Sequence, residues 1–311
     1  MTPVLLALVG PTAVGKTALA VSLAAHYSLE AISVDSRQCY RYMDIGTAKP
    51  TPEERARLPH QLIDIADPNE TVGLAQFLDL ARAAIADIHA RGNIPLLVGG
   101  TGQYMRALLQ GWQAPEVVPD PALRAALEAR SAESLWAQLM ELDPYVAEFL
   151  DRRNVRRVIR ALEVCLATGQ PFSEQRRRDP PPFPTLQLGL TLERDALYTR
   201  ADTRVTAMLK AGLLDEVGAL LKAGYGWKLP AMSGLGYAQF RPYFAGQATL
   251  DEVAARICWD THDFIRRQYT WFSLNDPAIH WLDAGNPVPA AVQCVEDFLR
   301  LQVRPSANSV P

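Results

Sequence analysis

Long hydrophobic runs are absent from this 311-residue sequence. Its apolar stretches are short, and the first, Val4–Val9, has no basic residue before it and is stopped by Gly10 and Pro11. A spanning helix needs about 20 apolar residues and a secretory leader a basic start, so neither a membrane nor an exported protein is expected. Cysteine is sparse: Cys39, Cys165, Cys258 and Cys294 are scattered, with no CxxC pair and no Cys/His spacing that would hold zinc. Reduced thiols in a cytoplasmic protein are the simple expectation. Net positive charge is missing as well. The 31 Lys+Arg against 34 Asp+Glu leave −3, which gives no global hint of a polyanionic partner. No internal repeat is visible, which argues against a solenoid. No Asn is followed by Lys, which removes the guanine-recognition segment a GTPase would need. What the chain does hold is 49% hydrophobic residues, ample for a buried core and too many for disorder.

The small net charge divides unevenly. Residues 1–150 carry 11 basic and 17 acidic side chains, a balance of −6, and residues 151–311 carry 20 and 17, a balance of +3. Such asymmetry points weakly to an anionic partner for the second half. The apolar runs Val4–Val9, Ala31–Val34 and Ile94–Val98 read as buried strands, alternating with helical patterns over Lys16–His26 and Leu74–Ala90. That alternation marks an α/β fold with a parallel sheet. Thr185–Leu192 and Ala278–Leu282 are further strand candidates. Between Pro115, Pro119 and Pro121 on one side and Pro180, Pro181, Pro182 and Pro184 on the other, only helical periods occur. The expected organisation is a P-loop NTPase-like parallel core (1–114), an all-helical insertion (115–184), the rest of the core (185–304) and a frayed tail (305–311).

Gly10-Pro11-Thr12-Ala13-Val14-Gly15-Lys16-Thr17 fits GxxxxGK[ST], with a strand before it and a helix-forming sequence after it. The glycines let successive N–H groups turn toward an anion, the helix N-terminus adds partial positive charge, and Lys16 adds a full one. Thr17 can offer its hydroxyl to Mg²⁺. A bound di- or triphosphate follows; the reaction does not. A small-molecule or nucleotide kinase, a transferase expelling pyrophosphate and a non-catalytic RNA-binding NTPase all remain open. Asp35, at the end of a predicted strand, lies on the carboxyl edge where such sheets bind ligands. On its own it reads equally as a general base or as a Mg²⁺ ligand.

Four segments together carry more. Gly10–Thr17, Ser33-Val34-Asp35-Ser36-Arg37-Gln38-Cys39-Tyr40, Asp44-Ile45-Gly46-Thr47-Ala48-Lys49-Pro50 and Leu97-Val98-Gly99-Gly100-Thr101-Gly102-Gln103-Tyr104 resemble the tRNA dimethylallyltransferase (isopentenyl-tRNA transferase) family, bacterial type. Arg160–Val164, Arg200 with Arg204, Gly236-Tyr237 and Arg267–Phe272 agree, so the resemblance runs from about residue 4 to residue 283. It implies transfer of a dimethylallyl group from its diphosphate to N6 of the adenosine at position 37 of tRNA, with Mg²⁺ as cofactor. It implies Asp35 as the base, Thr101 beside both target base and diphosphate, and Arg204 on the leaving diphosphate. The P-loop, residues 10–17, would hold the diphosphate. The chain is expected to act as a monomer on the anticodon stem-loop.

The same resemblance assigns tRNA contacts to Asp35, Ser36, Arg37 and Gln38, to Thr101 and Leu123, and to Arg156, Arg157, Val158, Ile159 and Arg160. The residues themselves speak for the last group. Arg152, Arg153, Arg156, Arg157 and Arg160 cluster on one helical stretch. Val155, Ile159, Leu162 and Leu166 are expected to share its apolar face. No carboxylates alternate with these arginines at i,i+4, which favours phosphate contacts over internal pairing. Arg176–Arg178 form a second, less specific basic run. The family pattern is broken at His262 and Asp263, which weakens that helix turn as a phosphate grip.

Overall fold

The computed structural model describes residues 2–113, 115, 117–118, 120–175 and 178–303. Pro119, Arg176, Arg177 and the tail 305–311 named above lie outside the described residues. The described chain forms two compact units, 1–109 with 181–311, and Gln110–Pro180.

The first unit is α/β. Its elements run β1 (Leu5–Val9), α1 (Lys16–Leu23), β2 (Leu29–Ser33), α2 (Pro52–Arg57), β3 (His60–Gln61), α3 (Leu74–Ala90), β4 (Ile94–Val98) and α4 (Gly102–Leu109). After the insertion the sheet resumes. A parallel six-stranded sheet in the order β3-β2-β4-β1-β5-β6 is completed by β5 (Thr185–Thr191) and β6 (Ile279–Asp283). β1, β2 and β4 are buried at every position, because helices cover both faces and leave no solvated side to alternate toward. That is why β1 and β4 read as unbroken apolar runs, while β2 also buries Glu30 and Ser33, which are hydrogen-bonded to Arg91 and Gln38. The two-residue β3 carried no such run and was invisible to the pattern. The order places the carboxyl ends of β2, β4 and β1 side by side, so the three loops that follow them share one edge of the sheet.

The insertion consists of α5 (Pro121–Glu128), α6 (Ala132–Leu142) and α7 (Val155–Thr168), with a short 3₁₀ turn at Pro144–Glu148. It has a core of its own, built from Leu127, Leu135, Leu139, Val146, Leu150, Val158, Ile159 and Leu162. Its ends meet: Asp179 N donates to Gly111 O at 2.7 Å and Trp112 bridges antiparallel to Arg178. This closure puts the unit's limits at 110 and 180 rather than at the outer prolines. Two buried carboxylates brace it. Asp143 accepts from Ser173 N and Oγ, both at 2.7 Å. Glu163, with a side chain 1% exposed, accepts from Asp120 N, from Nε and Nη2 of Arg124 and from Arg160.

The returning chain of the first unit supplies α8 (Arg194–Lys210), α9 (Leu213–Lys222), α10 (Arg241–Phe244), α11 (Leu250–Trp271) and α12 (Val288–Val303). Among the described residues no helix is long and apolar enough to cross a membrane.

Candidate active site

The loop between β1 and α1 is wound by residues with positive φ: Gly10 at 135°, Ala13 at 63° and Gly15 at 105°. Gly10 has a second constraint, since a Cβ there would sit 2.5 Å from the Leu190 carbonyl oxygen. Val14 anchors the loop in the core, while Thr12, Ala13, Gly15, Lys16 and Thr17 line a cavity of about 410 Å³. Lys16 Nζ donates to the carbonyls of Gly10 at 2.9 Å and Pro11 at 2.7 Å. Burial, then the charge of Arg204, lower the Lys16 ammonium to about 7, with Asp35 opposing.

Arg204, on α8, enters the same cavity and donates from Nη2 to Thr12 Oγ1 at 2.7 Å. Its Nε is buried with no hydrogen-bond partner. A buried guanidinium donor left unpaired is costly, and a phosphate oxygen would satisfy it. Arg200, a turn earlier, is exposed.

Asp35 follows β2 and lines the same cavity. Its Oδ1 accepts from Arg37 N at 2.8 Å and Gln38 N at 3.3 Å, a turn that fixes the carboxylate; its Oδ2 accepts no hydrogen bond among the described residues. Thr101, after β4, is joined to this turn because its hydroxyl accepts from Ser36 N at 3.1 Å. Gly99 is glycine because a Cβ would collide with the Val34 carbonyl. The cavity wall is completed by Ser33, Gln38, Thr47–Pro50, Gly99, Gly100, Phe264 and Gln268 among others.

The expected tRNA-contact residues differ in how they are held. The Arg37 guanidinium donates to the Pro230 and Ala231 carbonyls and to Ser233 Oγ. Gln38 is similarly committed, receiving Ser33 Oγ at 2.8 Å and donating to the Thr47 and Ala48 carbonyls at 3.2 Å. In the insertion, the side chains of Val158 and Ile159 are in the core and Leu123 packs against it. Arg160 is paired after all, with Glu163 at i+3 and with Val117 O at 3.0 Å. Leu166, assigned to the apolar face, is 43% exposed. Arg156 and Arg157 remain exposed, beside the helix start that Asn154 caps. At the break in the family pattern, His262 Nε2 meets Asp202 Oδ1 at 2.9 Å and its ring stacks on Tyr198, while Asp263 pairs with Arg266.

Gln268 and Glu216 received no role from the sequence. Glu216 accepts from the amides of Asp44, Ile45 and Gly46 and from Tyr237 Oη at 2.6 Å, thereby holding the Asp44–Pro50 segment in place. Lys49 is buried against Tyr40 O, Asp44 and Asp64, so this lysine is a brace and not a phosphate ligand.

Comparison with known proteins is consistent from end to end. The family described as IPP transferase matches residues 38–275, and that described as isopentenyl transferase matches residues 3–64. A tRNA dimethylallyltransferase of Roseiflexus sp. (strain RS-1) is 61% identical over 272 residues, covering 86% of this chain and 89% of the relative. The crystal structure of the full-length tRNA isopentenylpyrophosphate transferase of Bacillus halodurans superposes with a TM-score of 0.71 at 38% identity, covering 96% of each chain. A eukaryotic dimethylallyltransferase acting on tRNA gives a TM-score of 0.86 at 27% identity, covering 99% of this chain and 82% of its own.

Proposed function

This chain belongs to the tRNA dimethylallyltransferase family, and we propose that it transfers the dimethylallyl group of dimethylallyl diphosphate to N6 of the adenosine at position 37 of tRNA, releasing diphosphate. It is a transferase that modifies tRNA. The observation that carries the finer reading is the shared cavity: a carboxylate with one uncommitted oxygen faces a diphosphate cradle across about 410 Å³.

The exocyclic N6 is a weak nucleophile because its lone pair is delocalised into the ring. As the N6–carbon bond forms and the carbon–oxygen bond to diphosphate breaks, the proton leaving N6 passes to Asp35 Oδ2. Negative charge grows on the departing diphosphate, where the loop amides, Lys16 and the unpaired Nε of Arg204 receive it. The Thr17 hydroxyl is a hard oxygen ligand that suits Mg²⁺, an ion commonly held by one or two protein oxygens together with phosphate. Bound there, Mg²⁺ would share the leaving group's charge. The adenosine must leave its stack to reach Asp35, which asks for grips on the flanking RNA. Ser36 and Thr101 supply grips in the first unit, and Arg156 and Arg157 in the insertion. Action as a monomer in the cytoplasm completes the reading.

The test is an incubation with dimethylallyl diphosphate, Mg²⁺ and an anticodon stem-loop bearing adenosine at positions 36 and 37. Prenylated adenosine and released pyrophosphate, with no ATP present, are expected. ATP consumption without an RNA product would return the chain to the kinase class.

A further inference from the structure

The inward face of α11 runs Val253, Ile257, Thr261, Ile265 and then Gln268, a carboxamide only 2% exposed. A polar group so buried persists when both its ends are paired, and here they are. Oε1 accepts from Thr12 N at 2.8 Å and Nε2 donates to Gly100 O at 2.9 Å. One partner is an N–H and the other a C=O, so the orientation of the amide is forced. Gly100 answers to the same contact, since a Cβ there would run into Gln268 Nε2.

The two loops joined by this amide serve different substrates in the reading above, on which this inference rests. Thr12 belongs to the diphosphate cradle, and its hydroxyl is held at the same time by Arg204. Gly100 precedes Thr101, which is tied through Ser36 N to the turn presenting Asp35. We propose that Gln268 is a positioning residue for the transfer: its amide sets the spacing between the loop that holds the prenyl diphosphate and the loop that holds the acceptor. The helix carrying it is itself registered. His262 bonds Asp202 and stacks on Tyr198 with ring centroids 4.0 Å apart, fastening α11 to α8, the helix of Arg204. Thr12 is therefore gripped at its N–H from α11 and at its hydroxyl from α8, by two helices locked to each other. Gln268 lines the cavity, but both polar ends of its amide are already committed to the two loops. Its effect is on how well the two bound substrates are aligned, and misalignment of about 1 Å can cost about 10²-fold in rate.

The experiment uses the full chain and Gln268→Ala, Gln268→Glu, Gly100→Ala and the double variant Gly100→Ala/Gln268→Ala. Single-turnover rates are taken with saturating dimethylallyl diphosphate and stem-loop, and dissociation constants are taken separately for pyrophosphate and for the stem-loop. Gln268→Ala and Gly100→Ala are expected to lower the single-turnover rate by about 10²-fold while each dissociation constant stays within about threefold. The double variant is expected to be no slower than the slower single one, because both changes break one contact. Gln268→Glu keeps the shape and the acceptor but has no donor for Gly100, and is expected to show the same loss even if the alanine variant folds poorly. A glutamate variant as fast as the parent would overturn the proposal. So would losses that multiply in the double variant, or rates that fall only as far as binding does. A parent protein that makes no prenylated RNA would overturn the transferase reading itself, and the bridge with it.

Discussion

Lys16 is held between two demands. Its burial and the charge of Arg204 suit a neutral amine, while its loop carbonyls and a diphosphate both favour an ammonium. With the folded-state value near 7 against an ordinary 10.5, the unfolded chain binds more protons between those limits. Stability from this residue is therefore expected to rise as pH climbs from about 7 toward 10.5, and to be lowest below 7. Anion binding should reverse the shift, so pyrophosphate binding at pH 8 is expected to take up a proton. Calorimetry in buffers of different ionisation enthalpy measures that uptake, and Lys16→Met should abolish it. Asp35 has a different signature. Asp35→Ala is expected to lower kcat by about 10²–10⁴-fold, the usual worth of a general base, while stem-loop affinity changes much less. Equal losses in both quantities would make Asp35 a binding residue.

Between elements, a few carboxylates do the joining. Glu216 on α9 satisfies three backbone amides and the Tyr237 hydroxyl, and the same contact raises the tyrosine's pKa, after burial. Glu216→Ala would leave the hydroxyl of buried Tyr237 and three partly exposed amides without this partner, so a drop in Tm is expected, larger than that of Tyr237→Phe. These joints explain what could and could not be read from the sequence. The P-loop, Asp35 and the Gly99–Thr101 turn were legible because each is a local pattern set at the end of a buried apolar strand. Glu216 reaches its amides across about 170 residues and Gln268 reaches Thr12 across 256, and no local pattern encodes such distances. One signal was present: Gln268 falls on the apolar period of an otherwise amphipathic helix. The pairing of Arg160 went unseen for a related reason. Its partner Glu163 lies at i+3 and is turned inward, so a search for solvated i,i+4 pairs passed over it.

For the molecule as a whole, the near-neutral total charge concealed a division of labour between an acidic first half and an insertion with exposed arginines. The insertion's arginines also divide among themselves. Arg124 and Arg160, with the Asp120 amide, outweigh burial and hold the Glu163 carboxyl below its ordinary value. Arg160→Ala is therefore expected to destabilise the insertion, leaving Glu163 buried with one partner fewer. Arg156 and Arg157 have no such duty in the core and stay exposed. If they contact phosphates, Arg156→Ala/Arg157→Ala should weaken stem-loop binding and reduce the slope of log K against log salt by about 0.7–0.9 per lost contact. Pyrophosphate affinity and Tm should hardly move. Binding measured from 50 to 200 mM salt separates the cases. An unchanged slope in the double variant, with an unchanged Tm, would mean that these arginines are a solvated face and that tRNA is held elsewhere.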